Sequence, residues 1–250
     1  MTPTLEEQIL ALGPWCHEIQ VTPTVSTRVW YERASNEDAE LPFVNPNDIP
    51  AGTLLRRLFP GGLDGRSVLD CGCNGGGYLF MARDLGAGRC YGFDARDHWV
   101  RQAQFVAAHR KGSEDITFEV RRLDDLPQLE HDKYDVTFFN GILYHLPEPV
   151  GGLKVASDLT QELIIVDTST RAGMPDGYLA VQNEDKELLL AGVHGLSWLP
   201  TGPAVVHRIL RWAGFTECVT VQHLPVRPEV SRLVVAASKA PGLLAPLRED

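Results

Sequence analysis

The chain has 250 residues, 44% of them hydrophobic and 22% charged, which suits one large α/β domain with additions and excludes disorder on a domain scale. A formal net charge of -10 argues against a broad nucleic-acid face, since that affinity rests on Lys and Arg neutralising phosphates. No run of about 18 apolar residues is present to span a membrane, and Met1 to Gln8 lack the apolar core of a signal peptide. Cysteines at positions 16, 71, 73, 90 and 218 are odd in number and unpaired in spacing, so a reducing, cytoplasmic compartment is expected. Cys71 and Cys73 form a CxC with no second pair to complete a zinc site.

Residues 1–66 read as an N-terminal extension or lid packed over the C-terminal edge of a sheet, with Pro and Asn clustered from Pro42 to Pro50 and aromatics at Trp15, Trp30, Tyr31 and Phe43. From Ser67 short apolar or β-branched runs alternate with helical stretches, the pattern of a doubly wound, Rossmann-like α/β sheet. The runs are Ser67–Cys71, Arg89–Asp94, Ile116–Arg121, Tyr134–Asn140 and Glu162–Asp167; helices are expected over Tyr78–Leu85 and Asp97–Arg110, the latter with Trp99, Ala103 and Val106 at helical spacing. Residues 168–200 are polar and long for a plain connection, and read as an acceptor-side insertion. Thr201–Ala213 reads as a helix with Thr201 as N-cap and Gly214 beyond its end. Thr216–Gln222 and Ser231–Ala237, on either side of Pro225 and Pro228, form a final antiparallel hairpin, closing a domain over 67–240 and leaving a frayed tail over 241–250.

The most informative segment is Val68-Leu69-Asp70, a buried strand running into a turn with Gly72, Gly75, Gly76 and Gly77. Glycine permits a tight turn and close approach of a ligand, yet such a turn also holds the pyrophosphate of dehydrogenase dinucleotides. Three acids separate the two cases. Asp70 ends the strand where it would repel a pyrophosphate and attract the ammonium of an amino-acid moiety. Asp94 ends the next strand, in place to accept from ribose hydroxyls, and Asp124 follows the third, able to accept from an adenine amino group.

In order and spacing, Val68–Gly76, Gly92–Asp94, Leu123–Asp124 and Tyr134–Asn140 resemble the motif series of class I methyltransferases dependent on S-adenosylmethionine (SAM), with Asn74 where a second glycine is usual. The resemblance covers about residues 67–168 and implies a seven-stranded Rossmann-like sheet. It also implies a SAM site formed by Asp70, Gly72, Asn74, Gly76, Asp94, Ala95, Leu123, Asp124 and Asn140. Asn140-Gly141-Ile142-Leu143-Tyr144-His145 is similar to a segment of the tRNA uridine carboxymethyltransferase-like group, as are Trp15-Cys16-His17-Glu18-Ile19 and Ser197-Trp198-Leu199-Pro200-Thr201. That group also includes small-molecule and sugar methyltransferases.

Methyl transfer to a hydroxyl requires alignment and removal of one proton. His145, just past the fourth strand, is the candidate base, with Tyr144 beside it packing or touching the cofactor. Trp15, His17, Asp167, Glu184, His194 and Trp198 are candidate acceptor-site residues, Trp198 for its stacking surface. Asp167, Glu184 and His194 also carry donors for a divalent cation such as Mg2+, although no spacing demands one. The expected activity is O-methylation of a small polar acceptor, a sugar or oligosaccharide first, with no membrane partner and room for a homodimer. The alternatives are a tRNA-modifying alkyltransferase, against which the charge weighs and for which the motif-flanking segments supply no evident Lys or Arg, and a SAM-binding protein without catalysis. A nicotinamide-dependent dehydrogenase is a more distant one.

Overall fold

A computed structural model describes residues 2–33, 41–126 and 132–248. The N-terminal part contains α1 (Leu5–Ala11), a small ribbon of β1 (Gln20–Thr22) and β2 (Val25–Ser26), α2 (Arg28–Arg33) and α3 (Pro50–Leu58). The alternating part follows as β3 (Val68–Cys71), α4 (Gly77–Asp84), β4 (Cys90–Asp94), α5 (Asp97–His109), β5 (Ile116–Val120), β6 (Tyr134–Asn140), α6 (Pro149–Leu159) and β7 (Thr160–Arg171). The chain then forms β8 (Leu179–Asn183), β9 (Leu196–Pro200), α7 (Pro203–Trp212), β10 (Glu217–Arg227) and β11 (Val230–Ser238).

The central sheet has seven strands in the order β10-β11-β7-β6-β3-β4-β5. Neighbours from β7 through β5 are parallel, and β11 runs antiparallel to both β7 and β10. Strands covered on both faces read as continuous apolar runs. In β7, Leu163 and Ile165 enter one core while Ile164 and Val166 enter the other. The first core takes in α3, α4, α5 and the N-terminal segment, including Ile9, Trp15 and Trp30; the second takes in α6 and α7. The described part of residues 1–66 therefore contributes apolar side chains to the main core as well as packing over the sheet.

The elements from Ser67 to Asn140 fall within a residue or two of their expected bounds. Beyond Asp167 three expectations change. First, β7 continues through Arg171 because β11 supplies partners as far as Val230 opposite Arg171. The 168–200 insertion thus begins inside the sheet and then forms its own antiparallel hairpin of β8 and β9. Second, Thr201 does not cap α7: its hydroxyl accepts from and donates to the Tyr178 backbone. Gly202 is the N-cap residue, and the Asp176 carboxylate accepts from the Ala204 N–H at 3.0 and 3.2 Å. Third, Pro225 lies within β10, opposite Ser231, where an edge strand tolerates a missing N–H.

The tail is not frayed over 241–248. Leu244 is fully buried in the first core, its N–H donating to Glu217 at 3.3 Å; residues 249 and 250 lie outside the described residues. Because Asp176 supplies α7 with a cap from 27 residues upstream of Pro203, Asp176→Ala is expected to cost about 1 kcal/mol, read as a lower urea midpoint with unchanged m-value.

Candidate functional site

Sheet order reverses beside β3, since the chain passes from β3 to β4 on one side and later places β6 on the other. In open α/β sheets, the crevice outside the carboxyl strand ends at such a point binds ligands. A cavity of about 1080 Å3 opens there. The turn after β3 shapes one wall: Gly72 has φ +73° and Asn74 φ +50°, and both line the cavity. The left-handed conformation at Gly72 is the one glycine adopts without strain.

Asp94, at the end of β4, accepts the Asn74 N–H at 3.1 Å and the Arg96 N–H at 2.9 Å. Burial raises its pKa above the ordinary carboxylate value while these backbone donors oppose the rise. Ala95, Leu123 and Asp124 continue this wall. Asn140 ends β6 with both amide heteroatoms buried and without a well-formed hydrogen bond, although the amide approaches the Tyr78 hydroxyl closely enough to oppose that phenol's burial-driven rise. A buried amide with unfilled capacity next to a cavity is a place for a polar ligand.

Tyr144, His145, Asp167, His194 and His17 also line the cavity. His145 Nδ1 lies 2.9 Å from Glu184 Oε2, and that oxygen also accepts the Gly192 N–H at 3.0 Å. The Gly192 N–H lies 3.0 Å from Nδ1 as well, so Nδ1 faces both a carboxylate and a backbone donor, and among the described residues Nε2 has no hydrogen-bond partner. Burial lowers the His145 pKa below its ordinary value; Glu184 opposes this, and Arg232 and Arg96 reinforce it. The net effect favours the neutral imidazole. His194 is also lowered, by burial and by Arg122.

The N-terminal segment reaches the cavity by backbone pairing. Val44 N–H donates to Cys16 at 3.0 Å and Glu18 N–H to Val44 at 2.8 Å, which sets His17 and Val44 on the cavity wall. Nδ1 of His17 is buried without a partner, and burial pushes its pKa down to about 4.

Several expected site residues lie elsewhere. Asp70 is fully buried with both carboxylate oxygens unpartnered and does not line the cavity. Burial, with the charge of Asp94 behind it, raises its pKa well above the ordinary carboxylate value. Gly76 is a packing position: with φ +81°, a Cβ there would meet the Phe118 ring at 2.6 Å. Trp15 is fully buried in the core and donates Nε1–H to the Ile9 carbonyl at 2.9 Å, so it is no part of an acceptor lid. Trp198 lies in β9 away from the cavity lining, its Nε1 buried without a partner. Glu184 stands behind His145 instead of on the wall.

The divalent-cation set does not assemble: Asp167 pairs with Arg232 at 2.5 Å and Glu184 with His145 at 2.8 Å. Among the described residues no group of three or more His, Cys, Asp or Glu could hold a metal ion. Arg96, Arg121 and Arg122 line the cavity and correct the expectation that the motif-flanking segments supply no Lys or Arg, and Arg232 is a further cavity cation that sequence reasoning missed. It lies on β11 far from the motifs and lines the cavity. Burial works against its charge, but Asp167 and Tyr144 outweigh burial and raise its pKa. Its sequence signal was a single Arg inside an apolar strand, Val230–Ser238.

Strand order, reversal point and the wall of Asp94 and Asn140 together define a class I SAM-dependent methyltransferase fold. The chain belongs to the family described as "Methyltransferase domain", whose model matches residues 63–208. It is 32% identical to a tRNA U34 carboxymethyltransferase of Aliarcobacter butzleri over 164 residues, 65% of this chain and 50% of that protein. A second enzyme of that name, from Campylobacter curvus, is 36% identical over 92 residues, 37% of this chain and 30% of the other. The chain thus spans half or less of the length of these two relatives. Among solved structures, the N-terminal domain of EvdMO1 with SAH bound has a TM-score of 0.70 at 21% identity, covering 94% of this chain and 95% of that one. The 1,6-didemethyltoxoflavin-N1-methyltransferase of Burkholderia thailandensis has a TM-score of 0.55 at 22% identity, covering 76% and 77%. These likenesses establish the fold. Among the described residues no helix is long and apolar enough to cross a membrane.

The depressed pKa of His17 has a measurable consequence. Below about 6.5 the unfolded chain binds a proton that the folded site refuses until about pH 4, so this group's effect is to lower stability as the pH falls through that window. Between pH 7 and pH 4, the unfolding free energy of His17→Gln should therefore fall less than that of the wild type, by up to about 3 kcal/mol. Urea titrations across this range would show it; parallel pH curves would exclude it.

Proposed function

We propose that the protein is an O-methyltransferase that uses SAM to methylate a hydroxyl of a small polar acceptor, a sugar or oligosaccharide first, with His145 as general base. The observation that carries this reading is the His145–Glu184 pair at the cavity, which leaves Nε2 as the free ring nitrogen. The cavity suits the cofactor as well. Asp94 can accept from ribose hydroxyls, and Gly72 allows close approach of the amino-acid portion. Asn140 has unfilled amide capacity for that portion, and Asp124 suits an adenine amino group.

SAM bound here supplies an electrophilic methyl on a sulfonium. The protein's own work is to hold the acceptor in line and to take its hydroxyl proton onto His145 Nε2 as the oxygen–methyl bond forms. Glu184 then stabilises the imidazolium through Nδ1–H. Arg232, already paired with Asp167, presents a planar donor group near Tyr144 for ring hydroxyls or an acidic substituent. The fold neighbour EvdMO1, solved with SAH and D-fucose, lends support to the sugar class.

A second reading has its own support: the curated relatives are named tRNA U34 carboxymethyltransferases, and Arg232 supplies a cavity cation that such chemistry could use. Under that reading the chain would show salt-sensitive tRNA shifts at low ionic strength and would turn over tRNA in preference to glycosides. A SAM-binding protein without catalysis would bind SAH and turn over neither.

Two variants test the assignment. Asp94→Ala is expected to weaken SAH binding about thirtyfold in calorimetry, the equivalent of about 2 kcal/mol for lost hydrogen bonds to a charged group. His145→Ala should retain SAH affinity yet lose about 10²–10⁴ in kcat on the best glycoside found with labelled SAM. Full turnover in a folded His145→Ala protein would remove the base.

A further inference from the structure

Arg96 stands at the N-cap of α5 and makes no side-chain capping bond there, a position where Ser, Thr, Asp or Asn is usual. Its backbone N–H donates to Asp94, and its guanidinium reaches across to the connection between β8 and β9. Nη2 donates to the carbonyls of Lys186 at 2.9 Å, Leu188 at 3.1 Å and Ala191 at 2.9 Å, and Nε to Ala191 at 3.3 Å. The next residue, Gly192, directs its N–H at both the Glu184 oxygen and His145 Nδ1, 3.0 Å from each.

The fit around Gly192 is close. A Cβ at that position would come within 2.7 Å of His145 Cβ and 2.9 Å of Glu184 Oε2. The connection's own anchorage is slight: its short-range backbone bonds are Leu188 N–H to Asp185 and Ala191 N–H to Leu188, and Leu188 is 61% exposed. A planar fork with five donors is suited to gathering three carbonyls.

We propose that Arg96 is a positioning residue that docks the β8–β9 connection onto the turn after β4 and thereby holds Glu184 against His145. The catalytic consequence rests on the reading of His145 as base; the docking does not. One residue then joins Asp94, proposed for the cofactor, to the His145–Glu184 pair, through Gly192. A role limited to charge would leave the connection in place and change only the field at His145, where Arg96, with Arg232, opposes and Glu184 favours protonation.

The test is hydrogen exchange resolved over 184–193, together with 15N spectra of the His145 ring, on the full chain as wild type, Arg96→Ala, Arg96→Lys and Glu184→Ala. In the wild type, Glu184 held against the ring is expected to keep its proton on Nδ1. In Arg96→Ala, the amides of Leu188, Ala191 and Gly192 should exchange about tenfold faster or more while α5 and β4 keep their protection. The ring should move towards the Nε2–H form of a free imidazole, as in Glu184→Ala. Arg96→Lys should lie between, because one ammonium cannot span three carbonyls. Unchanged exchange and an unchanged ring in Arg96→Ala would overturn the proposal, as would protection lost equally through α5 and β4. If His145→Ala kept full turnover while Arg96→Ala freed the connection, the base reading would fall and the docking role would stand.

Discussion

Polar side chains crowded at the carboxyl ends of adjacent parallel strands are the constraint on which this structure turns. Asp70, Asp94 and Asn140 end or approach the ends of β3, β4 and β6, Asp167 of β7 lies level with Asn140, and burial removes most of their water. Burying such groups is costly unless they are hydrogen-bonded or paired. Each meets that cost differently. Asp94 takes backbone N–H groups from its own turn, Asp167 takes Arg232 from β11, and Asn140 and Asp70 keep unfilled capacity. The unfilled capacity of Asn140 borders the cavity; that of Asp70 is sealed behind it and favours the neutral acid.

Reversal of the last strand has a direct bearing on the site. Because β11 lies antiparallel between β7 and β10, residues near its start come level with the carboxyl end of β7. Arg232 pairs in register with Ser169, close to Asp167, so the cation meets the acid across one ladder step. The 168–200 insertion is held to the same end by different means. Its hairpin returns Glu184 to His145, and α7 begins under a carboxylate, Asp176, from the insertion itself.

Much of this was legible in the residues. The strands from Val68 to Asn140 follow from apolar runs and their glycine-rich or acidic ends, and Asp94, Asn74, Asn140 and His145 do reach one cavity. Trp15 and Trp198 misled because an aromatic ring serves a core and a stacking platform equally well by composition. Gly76 misled because a glycine demanded by Phe118 packing looks the same in sequence as one demanded by a ligand.

Local chemistry, then, determined by itself where the strands from β3 to β6 end and which acids follow them, because those properties depend on neighbours a few residues away. Only the tertiary structure decided that Asp70 is sealed, that Arg232 faces Asp167 from 65 residues downstream, and that Glu184 orients His145 across a separation of 39. Pairings of that kind depend on strand order and on the fold of the insertion. Periodicity records neither, since an isolated charge in an apolar strand shows that a partner is needed without showing which one the sheet will bring.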